Sequence, residues 1–251
     1  MRSRDLPWSR TFHLTAPAGV TWTPYDDHIA YAADLAESSF HHRLLLDRPP
    51  DDLTAWKARW HELNGGKGVG TPMFAWETRT PVPTPEGADH ALWCLMLDRA
   101  VDPIDPHPDV RALTRDDLEA MVPLFAVDSD GRPTSDTWAR WMLGGVLTRI
   151  EQAELGCGGV LWGRFDGDVL VSMASILWDR REARFHTVVT REPHRRRGLA
   201  RDLVLRCVQT YQEESFGIAY IAATAESPAE QLYRALGFRR TTAVTLVTFQ
   251  D

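Results

Sequence analysis

Ten consecutive residues constrain this chain more than any others: Arg191, Glu192, Pro193, His194, Arg195, Arg196, Arg197, Gly198, Leu199 and Ala200. They follow an extended stretch at about 183–190 and open an amphipathic helix from 198 to about 214. Ala200, Leu203, Val204, Cys207, Val208 and Tyr211 form the apolar stripe of that helix. A strand, a tight basic turn and a helix start make an anion site. The first N–H groups of a helix lack intrahelical partners, and its dipole is positive there. Small residues at 198 and 200 let a phosphate reach the backbone, and the arginines add charge. The competing reading is a solvated arginine cluster on an exposed turn.

Prolines 103, 106 and 108 bar helix and demote strand, so 102–108 reads as a linker. It divides an N-terminal α/β region of unassigned role, 1–101, from a domain at 109–251. In the latter the pattern predicts a short strand at 109–113. Thr114, with Asp117 three residues on, then opens a helix to about 127. Turn residues fill 128–133, and Ser135 or Asp136 caps a second helix. Gly144 and Gly145 weaken that helix part-way, and Gly156 ends it. Three strands follow at about 158–165, 169–178 and 183–190, the first two joined by an Asp166-Gly167-Asp168 hairpin. After the amphipathic helix come a strand at 218–224, a short helix at 228–236 closed by Gly237, and a last strand at 238–249. The order is β-α-α-β-β-β-α-β-α-β, an α/β (α+β) arrangement with at least one parallel pair in a mixed sheet. In the first region, 25 or 26 to 46 and 51–63 read as helices, and 73–80 and 91–101 as strands around a proline-rich loop at 81–87.

Composition sets outer limits. The 251 residues are 43% apolar and 25% charged, which is globular usage. Net charge is −7, where a nucleic-acid binder advertises a basic surface, so no nucleic-acid partner is expected. No apolar run reaches the roughly 18 residues of a membrane span. The charged start is not followed by an apolar leader, so the expectation is a cytoplasmic protein with no membrane partner. Cys94, Cys157 and Cys207 lack the spacing of a disulfide framework or a zinc site. His41, His42 and His61 have no metal-ligand spacing either, so no metal is expected. The glycine-rich 65–71 is not a Walker loop, because Gly68 follows Lys67; it reads as a mobile connection.

Arg195 to Ala200 fits R/Q-x-x-G-x-G/A. About 30 residues later come Ala229, Leu232, Tyr233, Leu236, Gly237 and Phe238. Together these resemble the acetyl-CoA pyrophosphate loop and the A-x-x-L-Y-x-x-L-G-F stretch of the GNAT N-acetyltransferase superfamily. The element order is also that family's, over roughly 108–251. The α-α-β-β order of 1–101 resembles half of the same fold, a degenerate partial repeat without its own R-x-x-G-x-G/A.

The resemblance implies an acyl-CoA N-acyltransferase with acetyl-CoA as co-substrate. Pantetheine would pair with Val188, Val189 and Thr190. Pyrophosphate would take N–H groups from Arg196, Arg197, Gly198, Leu199 and Ala200, flanked by Arg195 and Arg201. Two departures stand out. Proline usually lies three residues before the motif arginine, and Glu192 holds that place here, with Pro193 one later. Asparagine often lies seven before the tyrosine, and Glu226 or Ser227 fills that position. Tyr233 aligns with the general acid for the leaving thiolate, against a core tyrosine as the plain alternative. Arg184 occupies the family's glutamate register and cannot be a base. Glu182 and His186 flank it on the same strand face and are the candidates, with water-mediated deprotonation also open.

The implied acceptor is a small-molecule primary amine. The alternatives are a protein or peptide N-acetyltransferase, or an inactive CoA-binding module. The acceptor pocket would form between the first two helices, where Asp128, Asp130 and Asp136 lie near Trp138, Trp141, Trp162 and Trp178. Turn propensity is the favoured explanation of the aspartates, and core packing explains the tryptophans at least as well as a pocket does. A homodimer is compatible with the resemblance.

Overall fold

In a computed structural model the described residues are 2–35, 41–65, 71–83, 90–105, 107–126, 134–153, 157–215 and 217–249. The predicted turn at 128–133 with Asp128 and Asp130, positions 66–70 of the glycine-rich stretch, positions 84–87 of the proline-rich loop and the helix end at Gly156 therefore lie outside them.

Eleven strands form one sheet. From the N-terminus they are β1 (Val20–Pro24), β2 (His28–Ala33), β3 (Arg43–Leu46), β4 (Met73–Thr78) and β5 (His90–Leu97). Then follow β6 (Val110–Ala112), β7 (Gly158–Asp166), β8 (Val169–Trp178), β9 (Glu182–Thr190), β10 (Ile218–Thr224) and β11 (Arg239–Thr248). The helices are α1 (Pro7–Arg10), α2 (Phe12–Thr15), α3 (Leu53–Asn64), α4 (Leu118–Met121), α5 (Asp136–Glu151), α6 (Leu199–Glu214) and α7 (Pro228–Ala235).

The spatial order is β1-β2-β3-β4-β11-β5-β10-β9-β8-β7-β6. It has internal symmetry about the β11–β5 pair. Outward from that pair, β4 corresponds to β10, β3 to β9, β2 to β8 and β1 to β7. The β3–β4 and β9–β10 pairs are both parallel, and every other pair is antiparallel. Parallel neighbours need a crossover, supplied by α3 in one half and α6 in the other. The last strand of each half is exchanged. β5, before the proline-rich stretch, lies between β10 and β11, and β11 lies between β4 and β5.

Segment 25–46 is where sequence reading and structure part. Its alanines favour helix by propensity. The chain instead forms β2 and β3, because β2 pairs with β1 along Val20–Pro24 and β3 is buried at every residue. Tertiary burial outweighs local preference in such strands. The helix predicted from Thr114 is also broken: a 3-10 turn, the single turn α4 and a second 3-10 turn replace it. Asp117 accepts from the Thr114 N–H at 2.9 Å, as the predicted cap requires.

Helices cover both faces of the sheet. On one face α1, α2, α4 and α5 bury Trp8, Phe12, Met121, Leu143 and Val146 against the strands. On the other, α3 places Trp60 over Leu44, Phe74 and Trp76, while α6 and α7 bury Val204, Tyr211 and Tyr233. α5 runs unbroken through Gly144 and Gly145. Gly145 permits a close approach: a Cβ there would stand 2.5 Å from Pro17 Cβ and 2.9 Å from the Ala18 nitrogen. The Ala18 N–H donates to the Gly145 carbonyl at 3.2 Å, tying the first residues of the chain to α5.

Candidate active site

The strand pair β9–β10 is short of partners. Its register covers Glu182–Arg184 against Ile218–Tyr220 and stops, although β9 continues to Thr190 and β10 to Thr224. Beyond Arg184 the two strands diverge. On its far side β9 stays bound to β8 through Val188, Val189 and Thr190. Alternate N–H and C=O groups of β9 therefore face the opening, unclaimed by a neighbouring strand. Such a V in the middle of a sheet is a slot for an extended ligand that carries amides.

The open end of the slot leads to the basic turn. Arg196 and Gly198 both have positive φ, 65° and 82°. Left-handed residues in a turn point successive N–H groups toward one concavity, which binds anions. Gly198 is the residue before the first turn of α6, and a Cβ built on it meets nothing within 4 Å. The cradle is open at that point. Among the described residues, no backbone N–H from Arg196 to Arg201 has a protein acceptor; the Asp202 N–H is the first to close onto the turn, donating to Gly198 O at 3.1 Å. Arg196 and Arg197 are exposed and make no ion pair among those residues. Arg195 Nε donates to Thr190 O at 3.2 Å, which joins the turn to the end of β9, and Arg201 pairs with Asp202. A pyrophosphate fits these donors and this charge.

Ser227 caps α7, its hydroxyl accepting from the Glu230 N–H at 3.2 Å. The Glu226 N–H donates to the Glu230 carboxylate at 2.7 Å, and Glu226 has φ of 60°. Arg240 holds that carboxylate and keeps it below the usual range. The position where the family often has asparagine is thus a strained, capped turn.

Tyr233 lies on α7 in the apolar core, 5% exposed, with Phe238 at 6.2 Å. Its hydroxyl has no hydrogen-bond partner among the described residues. Burial pushes its pKa upward, so the phenol keeps its proton at neutral pH.

Glu182 and His186 fare differently. The Glu182 carboxylate receives Arg10 Nε at 2.9 Å, a second contact from Arg10 Nη2, and the Tyr220 hydroxyl at 3.3 Å. It sits at the closed end of the slot, in the first paired residue of β9. Both carboxylate oxygens are therefore engaged by the guanidinium fork. His186 is the extra residue where β9 bulges against β8: Thr187 opposes Ser175 and Phe185 opposes Ile176. Its Nδ1 is buried without a partner. Burial, then the charge of Arg184, lowers its pKa to about 4. Arg184 stacks on Trp8 at 4.8 Å and donates to its carbonyl.

A neutral His186, half-buried with its Nδ1 enclosed, has a consequence for stability. Its folded pKa is about 4 and its ordinary value is 6.5. The unfolded chain therefore binds the extra proton between those values, and stability is lost as pH falls through that window. The contribution is on the order of 2–3 kcal/mol. Urea melts at pH 7 and pH 4.5 should show a smaller acid loss for His186→Gln than for the unaltered chain. Equal losses would mean that His186 does not carry it.

Sequence reading missed the contribution of the first half to this face. His41 stacks edge-on to Trp141 at 5.3 Å, and Trp141 Nε1 donates to Asp34 at 2.6 Å. Burial, then the charge of Arg43, drives the His41 pKa well down. The adjacent histidines at 41 and 42 carried no local pattern that could reveal this. Trp178 is core, packed on Tyr211, and Trp162 donates to Thr210 at 3.0 Å, so neither lines a pocket on the His186 face. Trp138 packs against Phe125, and Asp136 is exposed with Arg140 beside it at 3.6 Å. Among the described residues no group of three His, Cys, Asp or Glu could hold a metal, and no helix is long and apolar enough to cross a membrane.

Comparison with known proteins meets this geometry. Residues 118–238 match the model of the Acetyltransferase (GNAT) family. They form a GNAT acetyltransferase domain. Membership implies acyl-CoA-dependent acyl transfer, with acetyl-CoA or another acyl-CoA as donor. A tandem GNAT protein from the clavulanic acid biosynthesis pathway superposes with a TM-score of 0.60 at 16% identity, over 96% of this chain and 86% of that one. A functionally unknown conserved protein from Staphylococcus epidermidis gives 0.63 at 10% identity, over 96% and 97%. A protein described as a GNAT-family acetyltransferase from Novosphingobium aromaticivorans gives 0.51 at 24% identity, over 71% and 75%. These likenesses establish a shared fold. No curated protein matches the chain. Within this chain the internal symmetry of the sheet gives the two halves the same strand topology.

Proposed function

We propose that the chain transfers an acetyl group from acetyl-CoA to a primary amine of a small molecule, by direct attack within a ternary complex. The observation that carries this reading is the slot between β9 and β10 running into the open cradle at Gly198. Pantetheine amides would pair with the free edge of β9 at Val188 to Thr190. The N–H groups of Arg196 to Ala200 would hold the pyrophosphate, with Arg195, Arg197 and Arg201 supplying charge. Ser227 would border the cofactor from the start of α7.

The amine nitrogen attacks the thioester carbon, the C–S bond breaks, and CoA leaves as thiolate. Tyr233 supplies the proton to sulfur. The amine loses a proton to His186 or to water. Of the two base candidates, His186 has a free ring nitrogen and Glu182 has a bound carboxylate.

Calorimetric titration with acetyl-CoA tests the donor, followed by an amine panel read by thiol release. Gly198→Trp fills the cradle and forces a bulky residue into positive φ. Losing two or three charge-assisted bonds, each about 1.5–3 kcal/mol, should weaken acetyl-CoA binding at least 100-fold. Unaltered affinity in that variant would remove the pyrophosphate assignment.

A further inference from the structure

The N-terminal half contains an opening built like the one between β9 and β10. Its parallel pair, β3 and β4, holds register from Arg43–Leu45 to Met73–Ala75, and β4 runs on to Thr78. Past the last paired residues the gap is filled by the chain's own start. The Ser3 N–H donates to the Asp47 carbonyl at 2.7 Å, and the Ser3 hydroxyl accepts from the Glu77 N–H at 2.7 Å. Asp47 follows β3 and still donates its own N–H to Asp27 on the β2 side at 2.9 Å. Ser3 therefore bridges the two diverging strands from inside the gap, and it is 1% exposed. Arg4 fastens it: Nε donates to the Asp47 carboxylate at 2.6 Å and Nη2 to the Tyr25 carbonyl at 2.8 Å. The Glu77 carboxylate then receives the Trp8 and Ser9 N–H groups at 3.0 and 2.8 Å.

The loop from β3 to α3 corresponds to the basic turn from β9 to α6, and its chemistry is the opposite. It reads Asp47, Arg48, Pro49, Pro50, Asp51, Asp52. Two prolines remove backbone donors. The Asp52 carboxylate accepts from the Thr54 N–H at 2.8 Å and so already occupies the start of α3. A phosphate would meet carboxylates where the other half offers arginines.

We propose that residues Ser3–Asp5 are the resident occupant of the N-terminal half's cofactor groove, so that the chain takes up one acyl-CoA. This rests on the reading of the C-terminal half as the acyl-CoA site. The N-terminal segment satisfies the strand edges that pantetheine would otherwise pair with. The N-terminal half then supports its twin instead of duplicating it.

Two arms test the proposal on the full chain. Calorimetry with acetyl-CoA should give a stoichiometry of one, and Gly198→Trp should abolish saturable binding. A stoichiometry of two, or a residual site in that variant, would overturn single occupancy. Amide exchange should show Glu77 protected, and deletion of residues 2–5 should speed its exchange at least 10-fold while acetyl-CoA affinity stays within twofold. Ser3→Ala, which removes the Glu77 acceptor and one contact to the Ser9 hydroxyl and keeps the backbone bond to Asp47, gives the same readout if the deletion does not fold. Unchanged exchange at Glu77 would overturn the bridge. No acetyl-CoA binding at all would sink the C-terminal reading, and the exchange arm would still decide the occupant.

Discussion

A chain lacking residues 1–101 should not fold as a monomer. The proline-rich stretch invites such a cut, but β5 lies inside the other half's sheet. It pairs with β10 along Ala219–Thr224 on one side and with β11 from Arg239 to Leu246 on the other. Without it β10 and β11 become two exposed edges, which favour aggregation. Leu95 and Leu97, 0% and 1% exposed, also leave the core over α6 and α7. Each such side chain is worth about 1.5–3 kcal/mol of burial, against a typical total stability of about 5–15 kcal/mol. Loss of α1 and α2 further uncovers Arg184 and Tyr220, which pack under Trp8 and Phe12. The fragment 102–251 should elute as aggregate and melt without a cooperative transition. A monomer with a Tm within about 5 °C of the full chain would show that the exchanged strand is dispensable.

Tyr233→Phe should lower kcat by about 100-fold, the scale of one general acid, with acetyl-CoA affinity within twofold. Stability should not fall, because the hydroxyl has no hydrogen bond to lose and the ring stays packed on Phe238. That combination separates a chemical role from a packing role, since a core tyrosine would change Tm and leave kcat alone. Unchanged turnover would mean that the thiolate draws its proton from solvent.

The turn and helix starts that build this site were legible in the sequence because their physics is local. The Arg195–Ala200 turn, the stripe on α6 and the capped start of α7 each depend on residues a few positions apart. The hairpin at Asp166–Asp168 and the strands around it read correctly for the same reason. The acceptor side was not legible in this way. Glu182 looked free for base chemistry until Arg10, 172 positions away in sequence, was found holding it. Strand alternation put Glu182, Arg184 and His186 on one face, but a bulge sets His186 apart from the regular ladder.

The first hundred residues divide the same way. α3 and β4 have clear local signals and were predicted nearly to the residue. β2 and β3 carry helix-favouring composition, and only pairing with β1 and β4 makes them strands. Sequence by itself determined the element order of 109–251, the basic turn that opens α6 and the absence of a matching turn in the first half. The tertiary structure alone decided that the halves exchange their last strands, that Ser3 fills the second groove, and that Arg10 closes over Glu182. Those are contacts between residues far apart in the chain, set by strand pairing and burial, and no local pattern encodes them.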